Sequence, residues 1–196
     1  AEKAIQLGLA SEILRSTAGL LGRFGVDIFF VISGFIMAYT THTMQAGWPA
    51  MRSFFLFSLI RIVPLYWLFT SLMVALLLVV PQLFRELTWD ITHIAASYGF
   101  IPVTNPMGGS SPILGVGWTL NYEMYFYLVF ALTLLLRPAS GRLWALLILL
   151  GSSVAAGLVI TPSSPWLQQL TSPLLLEFAS GVTAFHALCR AQHWQK

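Results

Sequence analysis

The sequence predicts an all-α fold: a polytopic transmembrane helix bundle with five spans and one short re-entrant or interfacial segment. Three observations predict it. Of 196 residues, 57% are hydrophobic and only 9% are charged, against about 25% charged in a soluble domain. The mean hydropathy of +0.79 leaves too little polar surface to clothe a water-soluble globule. Several stretches approach the ~20 apolar residues that a membrane helix needs. A soluble domain, a disordered tail and a collagen-like fibre are thereby excluded. The single cysteine, Cys189, excludes an intrachain disulfide framework and a multi-cysteine zinc site. The net charge of +3 reads as loop bias on a membrane protein. Membrane lipids are the expected surroundings, and no nucleic-acid partner is expected.

Residues Ala1 to Leu21 are mixed. Ile5, Leu9, Ile13, Leu14 and Leu20 are spaced loosely for an amphipathic helix, so an interfacial helix or loop is expected. Glu2 before Lys3 and the lack of a compact apolar core argue against a signal peptide. The first span is expected over about Phe24 to Tyr39 and the second over about Val63 to Leu83. The third runs from about Ile113 to Leu136, the fourth from Leu143 to Ile160 and the fifth from Pro173 to Cys189. Between the second and third, Ile91 to Val103 is only ~13 residues, in the re-entrant or interfacial range. Breaker residues mark the connections: Thr104 to Pro112, Pro138 to Gly141, and Thr161 to Pro165. None is long enough for a linker, so residues 1–196 are read as a single membrane domain. With Ala at position 1 and an end shortly after a hydrophobic segment, that domain is expected to be incomplete.

Loop charges set an orientation. With the C-terminal end of the first span inside, Arg52 and Arg61 lie inside. If Ile91–Val103 does not cross, Arg137, Arg142, Arg190 and Lys196 join them, and the uncharged 161–171 loop lies outside. Lys3, Arg15, Arg23 and Arg85 remain as outside charges.

An ionisable group within a span costs roughly 2.5–3.5 kcal/mol on insertion scales, and it persists by facing protein or a watery cavity. Asp27, Glu123 and Glu177 fall in or at such segments. Asp27 shares a helix face with Gly34, two turns on. That face is small and polar and suits close helix packing; capping or snorkelling to the interface is the plainer role for Asp27. Glu177 is followed one turn later by Ser180 and Gly181, a similar face. Glu123 lies well inside the third span, four residues before Tyr127, whose phenol can hydrogen-bond it. Trp118 and Tyr122 are one turn apart, and an aromatic belt explains them but not Glu123.

Arg52 to Ile60 reads as a helix along the cytoplasmic face, with Pro64 in the first turn of the next span. Arg61 then stands where a cytoplasmic anion arrives, and guanidinium binds phosphate bidentately; a lipid-headgroup anchor is the alternative. His186 is nine residues from Glu177, roughly opposite on the helix, so no Glu–His dyad is expected there. His42, His93 and His193 lie in or near loops without metal spacing, as solvated or interfacial side chains. A P-loop, a Gly-x-Ser-x-Gly elbow and a His-Glu-x-x-His motif are all absent.

Four segments together resemble the acyltransferase-3 family of integral membrane O-acyltransferases, in its exopolysaccharide and O-antigen acetylation branch. They are Gly25-Val-Asp-Ile-Phe-Phe-Val-Ile-Ser-Gly-Phe35, Arg61-Ile-Val-Pro-Leu-Tyr66, Trp118-Thr-Leu-Asn-Tyr-Glu123 with Phe126-Tyr127, and Leu176-Glu-Phe178 with Gly181. The resemblance implies a larger helix bundle in the bacterial inner membrane. It moves an acyl group, acetyl in the first place, from cytoplasmic acyl-CoA to a hydroxyl of an envelope glycan or lipid-linked sugar. Acyl-CoA is then a co-substrate, with no bound cofactor and no metal. Asp27 and Glu123 are implied as catalytic residues that orient polar partners or the acceptor. Arg61, Tyr66, Trp118, Tyr127 and Glu177 are implied to hold the acyl donor or the substrate, all in one hydrated pocket.

Two departures stand out. The family's catalytic Arg and His lie on a helix before the Gly-Val-Asp motif, whereas no His or long apolar run precedes Gly25, so this piece by itself need not be active. Phe57-Ser58 stands where paired basic residues are common. A polytopic transporter and a non-catalytic membrane scaffold are the competing classes; the intramembrane acids suit a transporter, but no internal repeat supports one.

Overall fold

The computed structural model describes residues 2–84, 90–104, 110–137 and 139–193. Seven α-helices follow one another among these residues: α1 (Glu2–Thr41), α2 (Trp48–Val79), α3 (Ile91–Tyr98), α4 (Gly117–Thr133), α5 (Ala139–Val159), α6 (Pro165–Leu170) and α7 (Leu174–His193), with a 3-10 turn at Pro81–Leu83. Among the described residues there is no strand. An all-helical fold is what lipid demands, because helices satisfy their own backbone hydrogen bonds. Four stretches are long and apolar enough to cross a membrane: Gly19–Thr41, Trp48–Val79, Gly141–Val159 and Pro165–Ala191.

Side-chain pairs fix the helix directions. Phe30 meets Phe178 at 4.5 Å between ring centroids, and Phe35 and Tyr39 meet Phe185 at 5.5 and 6.1 Å, so α1 and α7 run parallel. Phe30 also meets Tyr122 at 6.1 Å, and Ser33 reaches Glu123, so α4 runs the same way. Phe54 packs on Phe130 while Tyr66, about three turns later, packs on Gly117, so α2 is antiparallel to α4. In α5, Leu143 lines a cavity with Cys189 and Gly157 abuts Thr171, so α5 is antiparallel to α7.

The largest helix contact is α1 with α7. A Cβ on Gly34 would fall on the carbonyl oxygen of Phe178, and one on Gly181 on that of Val31. Only glycine allows this approach, the small-residue packing that joins helices where no hydrophobic effect drives them. Phe30, Phe126 and Phe178, all fully buried, form the centre where α1, α4 and α7 meet.

One end of the bundle is basic. Gly47 N–H donates to the Leu134 carbonyl at 3.0 Å, and Arg137 and Arg142 donate to the carbonyls of Ala46 and Met44 at 3.3 and 3.1 Å. Arg52 and Arg190 lie toward the same end, and the sequence places no acid between Asp27 and Glu86, between Glu123 and Glu177, or after Glu177.

Several boundaries differ from the sequence expectation. Residues 2–21 are not a separate interfacial piece but continue into the first span as one 40-residue helix. Residues 52–60 and the second span likewise form one 32-residue helix, with Pro64 inside it and Pro49 in its first turn. A proline removes only its own N–H bond, and a long membrane helix tolerates that loss. The third span shortens to the 17 residues of α4, because Leu134–Leu136 close as i→i+3 turns. The 161–171 loop contains the short helix α6, opened by Ser164 and Pro165. The Ile91–Val103 piece holds only the eight-residue α3, N-capped by Asp90. Arg85, Pro138, Lys196 and most of the Thr104–Pro112 loop lie outside the described residues, as do the side chains of Lys3, Arg15 and His193.

Candidate functional site

Polar side chains inside the bundle fall into two groups, three helices contributing to the first. Glu123 projects from α4 and is 2% exposed. Tyr127, one turn on and fully buried, donates its phenol to the Glu123 Oε1. Arg61 of α2 donates Nη2 to the Tyr127 oxygen and lies 3.5 Å from the Glu123 Oε1. Its guanidinium also sits 5.8 Å from the centroid of the Tyr127 ring. From α1, the Ser33 hydroxyl completes the carboxylate's surroundings at 3.5 Å.

The two ends of this chain are unequally placed. The Glu123 side chain is 3% exposed and the Arg61 side chain 59%. A buried carboxylate is held by a phenol, a hydroxyl and a guanidinium, while much of the guanidinium still faces outward. Such an arginine keeps donors for a second anion, and a planar fork suits phosphate or carboxylate. Arg61 is deeper than expected. It lies thirteen residues into α2 and level with Glu123 and Tyr127, not at the mouth of a span that begins at Val63.

The second group is a carboxyl pair. Asp27 of α1 and Glu177 of α7 lie on the two sides of the glycine seam, and the Glu177 Oε2 is buried with no hydrogen-bond partner among the described residues. No described hydrogen bond or ion pair joins this pair to Arg61 or Glu123.

Tyr66 and Trp118 belong to neither group. The Tyr66 hydroxyl donates to the Ser97 carbonyl at 3.0 Å, and its ring packs on Phe100 and Gly117, so it pins α3 to α2 and α4. Trp118 sits edge-on to Tyr122 at 6.0 Å and is 37% exposed. His93 is not a solvated histidine: it is 1% exposed, with Nε2 2.9 Å from the Ser111 carbonyl, because α3 folds back against the bundle. His186 bonds the Val182 carbonyl and makes no described contact with Glu177. Among the described residues no cluster of metal ligands occurs.

Sequence reasoning gave no role of their own to Ser33 and Asn121, although both lie in the segments that carry the family resemblance. Ser33 joins Glu123. Asn121 is 3% exposed and its Oδ1 has no partner among the described residues.

At the basic end a cavity of about 220 Å³ is bounded by Phe130, Leu146 and Phe185, with Arg142, His42 and His186 as its polar members.

Comparison with known proteins gives these residues a context. A family model described as "Acyltransferase domain" matches residues 4–187. The Exopolysaccharide production protein ExoZ of Rhizobium meliloti (strain 1021) is 40% identical over 163 residues, which cover 83% of this chain and 50% of that protein. The chain thus spans about half the length of the curated relative it matches. No solved structure matches it. Its apolar helices and this match together mark a multi-pass membrane protein. The chain belongs to the acyltransferase-3 family, and the Arg61–Tyr127–Glu123 assembly lies inside its acyltransferase domain.

Proposed function

We propose that this chain is part of a membrane O-acyltransferase of the bacterial inner membrane. It moves an acyl group, acetyl in the first place, from cytoplasmic acyl-CoA to a hydroxyl of a cell-envelope polysaccharide or its lipid-linked precursor. Transfer forms an ester C–O bond, breaks the thioester C–S bond and passes the hydroxyl proton to the departing thiolate. The observation that carries the reading is the buried Glu123 held by Tyr127 and Arg61 within a family-matched domain. An intramembrane ion pair of this kind is functional by default. Arg61 binds an anionic part of the donor with its free donors. Glu123 and Tyr127 hold the guanidinium in place, and Asp27 with Glu177 orients polar groups of the acceptor. The relative's printed name, exopolysaccharide production protein, supports a polysaccharide acceptor.

Five crossings accord with this reading. The 17-residue α4 is about 26 Å long at 1.5 Å per residue, slightly under the ~30 Å hydrocarbon core. Its direction, parallel to α1 and α7, suits a crossing between antiparallel α2 and α5. The basic end is then cytoplasmic by the positive-inside rule. Its 220 Å³ cavity, with Arg142, His42 and His186, suits an anionic donor arriving from that side.

The test is the O-acyl content of the envelope polysaccharide in a strain deleted for the whole gene. The expected result is loss of ester groups on deletion, return with the wild-type gene, and no return with Glu123→Ala. Unchanged ester content on deletion overturns the proposal.

A further inference from the structure

A second cavity, of about 370 Å³, opens on the other side of α4. Its walls come from four places: Phe55 of α2, Phe100 and Ile101 after α3, Asn121 and Tyr125 of α4, and Trp166 and Gln169 of α6. Asn121 and Glu123 are two residues apart, so at 100° per residue they leave α4 on nearly opposite sides. This cavity is therefore separate from the Arg61–Glu123 assembly.

Two features mark it as a binding site. Its volume falls in the range of ligand pockets, which combine apolar walls with a few placed polar groups. Asn121 is 97% buried, taking its 3% exposure from the whole, and its Oδ1 lacks a donor among the described residues. A buried amide oxygen without a partner is destabilising by about 1–3 kcal/mol until a donor arrives. Phe100, at the wall, adopts a φ of +56°, in a region that bulky residues avoid. That φ marks the left-handed residue of a Schellman motif that ends α3. Here the Ser97 and Ala96 carbonyls hold the N–H groups of Phe100 and Ile101 at 3.2 and 2.9 Å, and Tyr66 stacks on the Phe100 ring.

The lining states the ligand chemistry. No Asp, Glu, Lys or Arg lines it, so it does not select an ion. Aromatic faces at Phe100, Tyr125 and Trp166, with two amides, suit a neutral ligand that has C–H faces and hydroxyl edges. We infer that this cavity is a sugar-binding subsite that holds the acceptor glycan beside the unit being acylated, Trp166 covering a sugar face and Asn121 standing at the polar part of the wall. The inference rests on the acyltransferase reading and on the placement of α3 and α6 at the outer end. Trp166 is 52% exposed and Gln169 buried, so the sugar lies with one side toward the outside. Gln169 is already committed: its Nε2 donates to the Asn121 carbonyl at 3.0 Å and holds α6 against α4.

The experiment uses the whole gene product in lipid nanodiscs. The probe is a set of oligosaccharides cut from the host's own exopolysaccharide and stripped of ester groups. Binding is read by calorimetry, and transfer by ester content after incubation with acetyl-CoA. Trp166→Ala and Asn121→Leu are each expected to weaken oligosaccharide binding at least tenfold. In transfer both are expected to raise KM for the oligosaccharide with kcat and the KM for acetyl-CoA little changed. Trp166 is half exposed, so its truncation leaves the core intact and serves as the variant that folds. Glu123→Gln is expected to bind the oligosaccharide normally while losing transfer. Binding by Trp166→Ala and Asn121→Leu equal to wild type overturns the inference and leaves the acyltransferase reading standing. Tight, Trp166-dependent binding with no transfer by the wild type overturns that reading and leaves a glycan-binding site.

Discussion

Glu123 and Arg61 are partners with opposite surroundings, and their removal has unequal consequences. Deleting Arg61 leaves a carboxylate that is 3% exposed with only Tyr127 and Ser33 to hold it. Removing Arg61 is destabilising, by less than the about 3–5 kcal/mol of a fully buried pair because Arg61 is itself largely exposed. Deleting the charge of Glu123 instead leaves a guanidinium that is 59% exposed and keeps its bond to Tyr127. Arg61→Ala is therefore expected to unfold earlier on heating than Glu123→Gln, and the double variant Arg61→Ala/Glu123→Gln to recover most of the loss. Thermal unfolding of the purified variants in one detergent reads the order; equal losses in both single variants refute the asymmetry. Transfer follows different logic. Arg61→Lys keeps the charge but loses the bidentate fork, so acyl transfer is expected to fall by at least about tenfold, as read from initial rates, while stability stays near wild type.

At this scale the sequence disclosed the chemistry better than the geometry. The Glu123–Tyr127 bond follows from i,i+4 spacing, and Asp27, Glu123 and Glu177 stand out because charge in a span is expensive. Nothing local pairs Arg61 with a tyrosine 66 residues away, because that meeting depends on how helices dock. Tyr66 carries a family motif yet serves as a pin for α3, and only its bond to Ser97 reveals that.

Between helices, the seam of α1 with α7 depends on two missing side chains. Gly22, Gly34 and Gly181 look alike in sequence, all glycines within helices. A Cβ at Gly22 meets nothing within 4 Å, whereas at Gly34 and Gly181 it meets the opposite backbone. Gly22→Ala is expected to be neutral or stabilising by up to about 1 kcal/mol, since alanine suits a helix better. Gly34→Ala and Gly181→Ala are expected to be destabilising by about 1–3 kcal/mol, the scale of overpacking, and to pull Asp27 away from Glu177. Urea or thermal unfolding distinguishes them; equal effects at Gly22 and Gly34 sink the seam. The small-polar faces were legible in the spacing of Asp27 with Gly34 and of Glu177 with Ser180 and Gly181. Their being one another's partners was not, because a face shows its size but not its mate. Helix joints were the least legible feature. Pro64 imitates a helix start, and the neighbouring residues carry the backbone through it.

For the molecule as a whole, the number of crossings decides which side each site faces. Phe30, Phe35 and Tyr39 of α1 run alongside Phe178 and Phe185 of α7 in the same direction. Two parallel membrane helices need an odd number of crossings between them. On the proposed five crossings, with α2, α4 and α5 crossing and α3 and α6 at one end, that number is odd. If α3 also crossed, α7 would have to reverse against α1 and the phenylalanine pairs would come apart. Loop arginines already favoured a non-crossing α3, and eight helical residues span only about 12 Å. Single cysteines report the outcome, starting from Cys189→Ser, which removes the chain's single thiol. Thr92→Cys at the start of α3 and Ser163→Cys before α6 are both exposed positions, as is Gln45→Cys between α1 and α2. In intact cells a membrane-impermeant maleimide is expected to label positions 92 and 163, and position 45 only after the membrane is opened. Labelling of 92 and 45 from one side with 163 from the other would make α3 fail as an outer element. The sugar subsite would then lose its access to the outside, while the Arg61–Glu123 assembly, fixed by α2 against α4, would remain.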